Sequence, residues 1–251
     1  MSAGTPAALD ERLRRIGEHL GTYRVGVADM TAPAVQAAVR EHGGSWLAAF
    51  PRAVSLAFRL QDAIVDQLPR HHRSPAVART YSFHIYSSVN DYLDEMALHV
   101  ARAIQEEGHA AVPVPASLPV DADGFSGALS HKLAANLAGL GWIGRSCLLV
   151  APKVGPRLRL VTVLTDAPLA TDAPLDRDCG SCTECVEACP AGAFSGKAFD
   201  PAEPRSARMD VQACADYREA AKAVSGVTIC GVCVAVCPHG RRSRRAATLP
   251  A

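Results

Sequence analysis

Nine cysteines in a chain of 251 residues restrict the possible folds more than any other feature of this sequence. Four of them form the run Cys179-x2-Cys182-x2-Cys185-x3-Cys189, which Pro190 follows. In the bacterial ferredoxin run of this spacing, three thiolates bind one iron–sulfur cluster and the fourth binds the other cluster. The two-residue gaps let a tight loop direct three sulfurs at one cluster, and the three-residue gap turns the fourth away. The run therefore predicts two 4Fe-4S clusters.

A second, incomplete run supports the same interpretation. It reads Cys230-x2-Cys233-x3-Cys237-Pro238, and Cys214 lies 16 residues before Cys230 on a predicted helix. Eight thiols match two clusters with four thiolate ligands each. The crossing rule of two-cluster ferredoxins predicts the ligand sets. The first cluster takes Cys179, Cys182, Cys185 and Cys237, and the second takes Cys189, Cys214, Cys230 and Cys233.

Zinc and disulfides are the two alternatives for these cysteines. Structural zinc sites usually show separated Cys-x2-Cys pairs, which the dense first run does not resemble. Met1 to Arg15 contains no apolar signal segment, so we expect a cytoplasmic protein, without a membrane span, whose cysteines bind metal. The ninth cysteine, Cys147, opens the apolar run Cys147-Leu-Leu-Val150, and we expect a small buried thiol there.

Helical and strand-like patterns alternate along the first half of the chain and predict an α/β fold, with α+β as the variant. The predicted helices are Leu9–Leu20, Ala34–Val39, Asp62–Leu68, Val89–Glu107, Gly127–Leu137 and Val211–Val224. The predicted strands are Val25–Ala28, Ala53–Phe58, Cys147–Val150 and Leu158–Leu164, the last with Arg157 and Arg159 alternating at its start. Pro113, Pro115 and Pro119 predict a break in regular structure.

The composition changes near residue 173 and predicts three parts. We expect a reductase-type domain with a mixed sheet over residues 1–172, and a ferredoxin-like double-cluster domain over residues 173–240. Residues 241–251, with Arg241, Arg242, Arg244 and Arg245, are expected to form a disordered basic tail. The whole chain carries 26 basic and 25 acidic residues, a formal charge of +1, so its overall field does not favour a polyanion.

The segment Gly139-x-Gly141-x-x-Gly144 matches the letters of a dinucleotide-binding fingerprint. It follows a predicted helix and precedes a predicted strand, whereas the phosphate-binding turn requires a strand first and a helix after it. We therefore expect no nicotinamide cofactor at this loop. Trp142, between the glycines, is placed to line the cavity of a different cofactor.

Four segments of the second half resemble epoxyqueuosine reductase, a tRNA-modifying enzyme related to the reductive dehalogenases. They are Ala138-Gly-Leu-Gly-Trp-Ile-Gly-Arg-Ser146, Leu164-Thr-Asp-Ala-Pro-Leu169, Cys179-Gly-Ser-Cys-Thr-Glu-Cys185 and Ala188-Cys-Pro-Ala-Gly-Ala193. The resemblance is close to continuous from about residue 126 to 240. Over residues 20–115 it is limited to the order of the elements.

The resemblance implies a cobalamin cofactor besides the two 4Fe-4S clusters. In that family the clusters pass single electrons to a buried cobalamin, whose reduced cobalt attacks the substrate while an acidic side chain delivers a proton. The implied cobalamin-binding residues are Gly139, Gly141, Trp142 and Gly144. The motif Asp-x-His-x-x-Gly is absent, so we expect no protein imidazole on the cobalt.

The sequence departs from the family at the proton donor. The family's catalytic Asp lies in an Asp-Tyr-His triplet before a long helix, where this chain has His84-Ile85-Tyr86. A match to the dipeptide alone gives Asp91-Tyr92, inside the predicted helix. The catalytic candidates are therefore His84, Tyr86 and Asp91.

These features predict an oxidoreductase that takes electrons from a donor such as ferredoxin or flavodoxin. The expected substrate is a small molecule or a corrinoid. One alternative is an electron-transfer protein that reactivates a separate partner enzyme. The other is a tRNA-modifying reductase, which the balanced charge and the expected lack of the family's helical-repeat extension after Gly240 disfavour.

Overall fold

The computed structural model describes residues 5–121, 123 and 125–241. The α-helices are α1 (Pro6–His19), α2 (Pro33–Ala48), α3 (Asp62–Val65), α4 (Leu68–His71), α5 (Pro75–Phe83), α6 (Val89–Glu106), α7 (His131–Leu137), α8 (Glu184–Glu187), α9 (Val211–Ser225), α10 (Val232–Val236) and α11 (Pro238–Arg241). A π-helical turn (His84–Ser88) and a 3-10 turn (Arg205–Ala207) complete the helical elements of the described residues. The strands are β1 (Arg24–Asp29), β2 (Arg52–Arg59), β3 (Ala111–Val114), β4 (Trp142–Ile143), β5 (Leu149–Val150) and β6 (Leu158–Thr165).

A four-stranded sheet in the order β1-β2-β6-β3 organises the N-terminal part of the chain. Strand β1 is antiparallel to β2, with Arg24 opposite Ala57, and β3 is antiparallel to β6, with Ala111 opposite Thr165. Strand β2 is buried from Ala53 to Ala57 without alternation, as in a strand covered on both faces. The predicted combination of helices with a sheet is confirmed.

The prediction that the prolines break regular structure is wrong at Pro113. This residue lies inside β3, opposite Val163. Strand β3 is at the edge of the sheet, where a residue without a backbone N–H removes no bond from an interior ladder. An apolar strand with a central proline is therefore compatible with this position.

The long helix predicted from Val89 is confirmed as α6, which ends at Glu106. Its apolar stripe, including Leu93, Met96 and Ile104, is fully buried. Two other helices are shorter than predicted. The helix expected over Asp62–Leu68 ends at Val65, as α3. The helix expected from Gly127 begins at His131, because the Ser130 side chain accepts from the Leu133 amide and caps it there.

The backbone divides into two compact units. The described residues of the first lie within Met1–Arg59, Phe83–Trp142 and Arg159–Asp176, and those of the second within Leu60–Ser82, Ile143–Leu158 and Arg177–Ala251. In the first unit α6 packs on α1 and on strands β2 and β3, while α7 packs on β1 and β2. In the second unit α10 packs on α4, α8 and α11.

The predicted domain boundary near residue 173 stays a prediction. The second compact unit contains the whole cysteine region, and it also takes in two earlier segments, Leu60–Ser82 and Ile143–Leu158. The predicted tail, from residue 242 onward, lies outside the described residues. Among the described helices, none has both the length and the apolar character needed to cross a membrane.

Candidate metal centre

The first cysteine run forms a tight loop that leads into the short helix α8. The amide of Cys182 donates to the carbonyl of Cys179 at 3.1 Å, which closes the first turn. Gly180, inside this turn, has a φ of +54°, a left-handed conformation that favours glycine. Cys185 lies on α8 itself. Local geometry thus brings the first three thiols to one end of the loop.

Cys237, from the second run, lies within electrostatic reach of this loop. Burial raises the pKa of Cys237 to about 11, and negative charge on Cys179 and Cys185 adds to the rise. Burial also raises the pKa of Cys185, and Cys179 and Cys182 add to it in the same way. These four thiols form one group.

The other four thiols influence one another in the same manner. Burial raises the pKa of Cys230 to about 11, with contributions from Cys214 and Cys189. Burial raises the pKa of Cys233 further still, and Cys230, Cys214 and Cys189 add to the rise. Cys185 of the first group also contributes at Cys233, so the two groups are neighbours within the second compact unit.

Closely grouped thiols, five of which have pKa values raised by burial, match the chemistry of a cationic metal centre. A coordinated metal deprotonates a thiol outright and removes the repulsion among neighbouring thiolates. The two groups are those that the crossing rule predicts, while metal ligation by them stays a prediction. No disulfide joins any of the nine cysteines, all of which lie within the described residues. Within the described residues, no three His, Cys, Asp or Glu side chains converge on a position for a single metal ion.

Gly144, predicted as part of a cobalamin loop, lies beside the first thiol group. A Cβ at this position would be 3.3 Å from the Sγ of Cys179 and 2.8 Å from a methyl group of Val150. A side chain would therefore push against the sulfur of a predicted ligand. The close approach supports a first cluster packed against this backbone.

The other residues of the glycine loop make contacts within the protein. The loop follows α7 and precedes β4, the order predicted from the sequence. A Cβ on Gly139 would lie 2.4 Å from the carbonyl oxygen of Ala173, and the side chain of Asn136 donates to the Gly141 carbonyl at 3.0 Å. Trp142 is only 3% exposed. These contacts account for the glycines without a ligand, and the cobalamin role of the loop stays a prediction.

Two of the three catalytic candidates share the π-helical turn. Burial lowers the pKa of His84, and its buried Nε2 has no hydrogen-bond partner among the described residues. Tyr86 is 41% exposed, and the guanidinium carbon of Arg159 lies 5.1 Å from the centre of its ring. Asp91 is exposed in the first turn of α6.

The π-helical turn was not predicted, nor was α5 before it. A π-helical turn inserts one residue into a helix and leaves no separate sequence pattern, and such turns often occur at functional sites. Arg159 was predicted only as an alternating strand residue. Its side chain donates to the buried Asn90 Oδ1 at 2.9 and 3.1 Å, which holds the guanidinium over Tyr86.

Cys147 lies in a turn and not in the strand predicted for it. Strand β5 begins two residues later, at Leu149. The Cys147 amide donates to the Gly144 carbonyl at 2.9 Å, and its φ is +54°, which is not an extended conformation. The predicted burial of the thiol is confirmed.

Comparison with known proteins identifies the cysteine region. Residues 178–240 match the family model described as a 4Fe-4S double cluster binding domain. The chain is 27% identical to an epoxyqueuosine reductase of Gloeobacter violaceus, over 97% of this chain and 78% of the relative. The chain is thus similar to epoxyqueuosine reductases, and its residues 178–240 match a double-cluster domain. A 31% identical match to the epoxyqueuosine reductase of Listeria monocytogenes covers 46% of this chain and 31% of the relative.

Solved structures show the same fold. A selenomethionine-labelled epoxyqueuosine reductase has a TM-score of 0.58 at 20% identity, covering 94% of this chain and 67% of that one. A catabolic reductive dehalogenase has a TM-score of 0.66 at 20% identity, covering 96% of this chain and 33% of that one. The chain thus spans about a third of the dehalogenase, and its match to the Listeria relative spans a similar share of that protein.

Cys147→Ala is expected to leave the iron content of anaerobically reconstituted protein unchanged. The substitution trims a buried side chain outside both thiol groups, so we expect the free energy of unfolding to fall by about 1 kcal/mol. Iron and sulfide analysis checks the first part and chemical denaturation the second. Cys182→Ala serves as the control that removes a predicted ligand. Loss of about four iron atoms from the Cys147 variant would show that the ligand sets are wrong.

Proposed function

We propose that this chain is a low-potential reductase that passes electrons from two 4Fe-4S clusters to an acceptor held by its N-terminal part. The grouping of eight thiols into two neighbouring sets of four carries the proposal. When bound, such clusters supply one-electron transfer at potentials set by their surroundings. A plain carrier needs little beyond the cluster region, whereas about 170 residues precede it here.

The chain's own contribution at the clusters is to hold eight thiols in two groups, with Cys237 buried and the other seven cysteines half-buried. Burial raises the pKa of Cys233, and three other thiols of its group together with Cys185 add to the rise. Arg218 beside Cys214 lowers the pKa of that thiol and offsets part of the effect of burial, which raises it. This partial burial limits the access of water to the sulfurs, and the influence of Cys185 on Cys233 places the two groups next to each other.

Tyr86 is the side chain that we propose as proton donor. It has a hydroxyl group, its ring is partly exposed, and Asn90 holds Arg159 over it. His84 is less suited because burial lowers its pKa, which favours the neutral imidazole. Asp91 lies outside the π-helical turn, exposed in the first turn of α6.

Cobalamin is the acceptor that we propose. The support is the resemblance of the sequence to epoxyqueuosine reductases, together with the fold shared with a reductive dehalogenase whose structure is connected with B12-dependent dehalogenation. The contacts of Gly139, Gly141 and Trp142 do not add to this support. The proposed electron donor is a ferredoxin or flavodoxin, the proposed substrate a small molecule or corrinoid, and the proposed location the cytoplasm.

Titration of reconstituted protein with cob(II)alamin, followed by electron paramagnetic resonance, tests the acceptor. We expect a base-off signal without nitrogen superhyperfine splitting, because no Asp-x-His-x-x-Gly motif supplies an imidazole. Apo-protein without iron serves as the control for binding that does not depend on the clusters. Absence of binding at tens of micromolar cobalamin would favour an electron-transfer protein for a separate partner enzyme.

The second alternative, a tRNA-modifying reductase, is supported by the similarity of this chain to epoxyqueuosine reductases. One solved epoxyqueuosine reductase is in complex with an epoxyqueuosine-modified tRNA stem loop. The formal charge of +1 on this chain argues against a strong phosphate contact. Binding of a tRNA stem loop at physiological salt, measured by fluorescence anisotropy, separates this alternative from the proposal.

A further inference from the structure

Three consecutive residues, Gly144, Arg145 and Ser146, lie beside the first thiol group and the loop that carries it. We call them the 144–146 segment. The backbone of Gly144 lies against the sulfur of Cys179, as its missing Cβ shows. The segment leads into a turn closed by two backbone bonds, in which the Gly144 amide donates to the Leu148 carbonyl at 2.9 Å and the Cys147 amide to the Gly144 carbonyl. The turn fixes the position of all three residues.

Arg145 brings a positive charge to this group. Its Nη2 donates to the carbonyl oxygen of Gly180 at 2.7 Å, directly after Cys179, and its Nη1 donates to the carbonyl of Gly196. The Nε of Arg145 is buried without a hydrogen-bond partner in the part of the chain that the structure describes. Across that same part, no carboxylate forms an ion pair with this guanidinium, so its charge is not neutralised locally.

Ser146 lies beside Cys185, another member of the same group. Ser146 is only 5% exposed, and its hydroxyl lies within interaction distance of the Cys185 thiol. A serine hydroxyl can donate a hydrogen bond to the sulfur of this predicted ligand.

We propose that Arg145 and Ser146 raise the reduction potential of the first cluster. The inference rests on the proposed function, since it requires a cluster on Cys179, Cys182, Cys185 and Cys237. One-electron reduction adds a negative charge beside these groups. An unneutralised guanidinium and a hydrogen bond to a ligand sulfur both stabilise the more negative state, and charge and hydrogen bonds to sulfur are known determinants of cluster potentials.

Redox titration of the reconstituted chain, monitored by electron paramagnetic resonance, tests the proposal. Ser146→Ala removes the hydroxyl alone, and Arg145→Gln removes the charge. We expect both to shift the midpoint potential of the first cluster to more negative values and to leave the second unchanged. Arg145→Lys keeps the charge but loses the planar fork, so its shift is expected to be smaller than that of Arg145→Gln.

Arg218→Gln is the matched control, because Arg218 lies beside Cys214 of the second group. Its effect is expected on the second cluster only, and Cys182→Ala assigns the first-cluster signal by its loss. Unchanged potentials in Ser146→Ala and Arg145→Gln, at full iron content, would overturn the proposal. Loss of the first cluster in both variants would overturn it too, because the segment would then be structural. A wild-type chain without two clusters would instead refute the proposed function.

Discussion

Cys237→Ala is expected to abolish the first cluster and to leave the second in place, although Cys237 belongs to the second cysteine run. The iron content should fall from about eight to about four atoms per chain. The reason is the charge interaction of Cys237 with Cys179 and Cys185, which places it beside the first loop. Iron and sulfide analysis together with the reduced-cluster spectrum measures the effect.

Cys189→Ala is the reciprocal variant. Cys189 ends the first run, yet it contributes to the raised pKa values of Cys230 and Cys233. Its substitution should therefore abolish the second cluster and leave the first in place. The Cys147→Ala chain is the control for a cysteine outside both groups. If Cys237→Ala instead gave the spectrum of Cys214→Ala, ligands would be grouped by their run in the sequence, and the crossed arrangement would be refuted.

The cysteine groups could be predicted because their spacing is a local property. A two-residue gap within a turn fixes where three sulfurs point, and the crossing rule adds the fourth. The helix α6 was predictable for a similar reason, since its buried stripe repeats at helical spacing over 18 residues. Its π-helical start was not, because the phase shift that one inserted residue causes is confined to a single short turn, and the apolar residues of one turn do not form a recognisable pattern.

Contacts between distant segments were the features that the sequence did not reveal. The Gly139-to-Gly144 letters predicted one cofactor loop, whereas Gly139 packs on Ala173 and Gly144 on Cys179. Arg157 and Arg159 read as equivalent residues at the start of one strand. Their surroundings differ because Arg157 contacts the second compact unit's helices, and Arg159 contacts Asn90 in the first unit.

Arg157→Ala is expected to destabilise the second compact unit strongly. The side chain of Arg157 is 1% exposed, and its Nη1 lies 3.0 Å from Asp62 Oδ1 and 2.8 Å from Asp66 Oδ1. Its Nη2 donates to the carbonyl of Ala235 at 3.1 Å, in α10, just before Cys237. Removal of one partner from a buried ion-pair network typically costs about 3–5 kcal/mol, because the remaining charges lose their counterion.

Both carboxylates keep some solvent exposure, with side chains 31% and 21% exposed, so the loss is expected at the lower end of that range, about 3 kcal/mol. Chemical denaturation under anaerobic conditions, followed by circular dichroism, measures it. Arg157→Lys keeps the charge without the two-pronged geometry and should lose less.

The same network connects stability to cluster binding. Arg157 connects α10 to α3 because its guanidinium contacts both the Ala235 carbonyl and the Asp62 carboxylate. Cys237 follows Ala235 by two residues. Arg157→Ala should therefore lower the iron content at the first cluster more than at the second. Arg159→Ala, in the same strand region but bonded to Asn90, is the matched control and should keep both clusters. Equal iron loss at both sites would mean that Arg157 stabilises the unit as a whole and does not position Cys237.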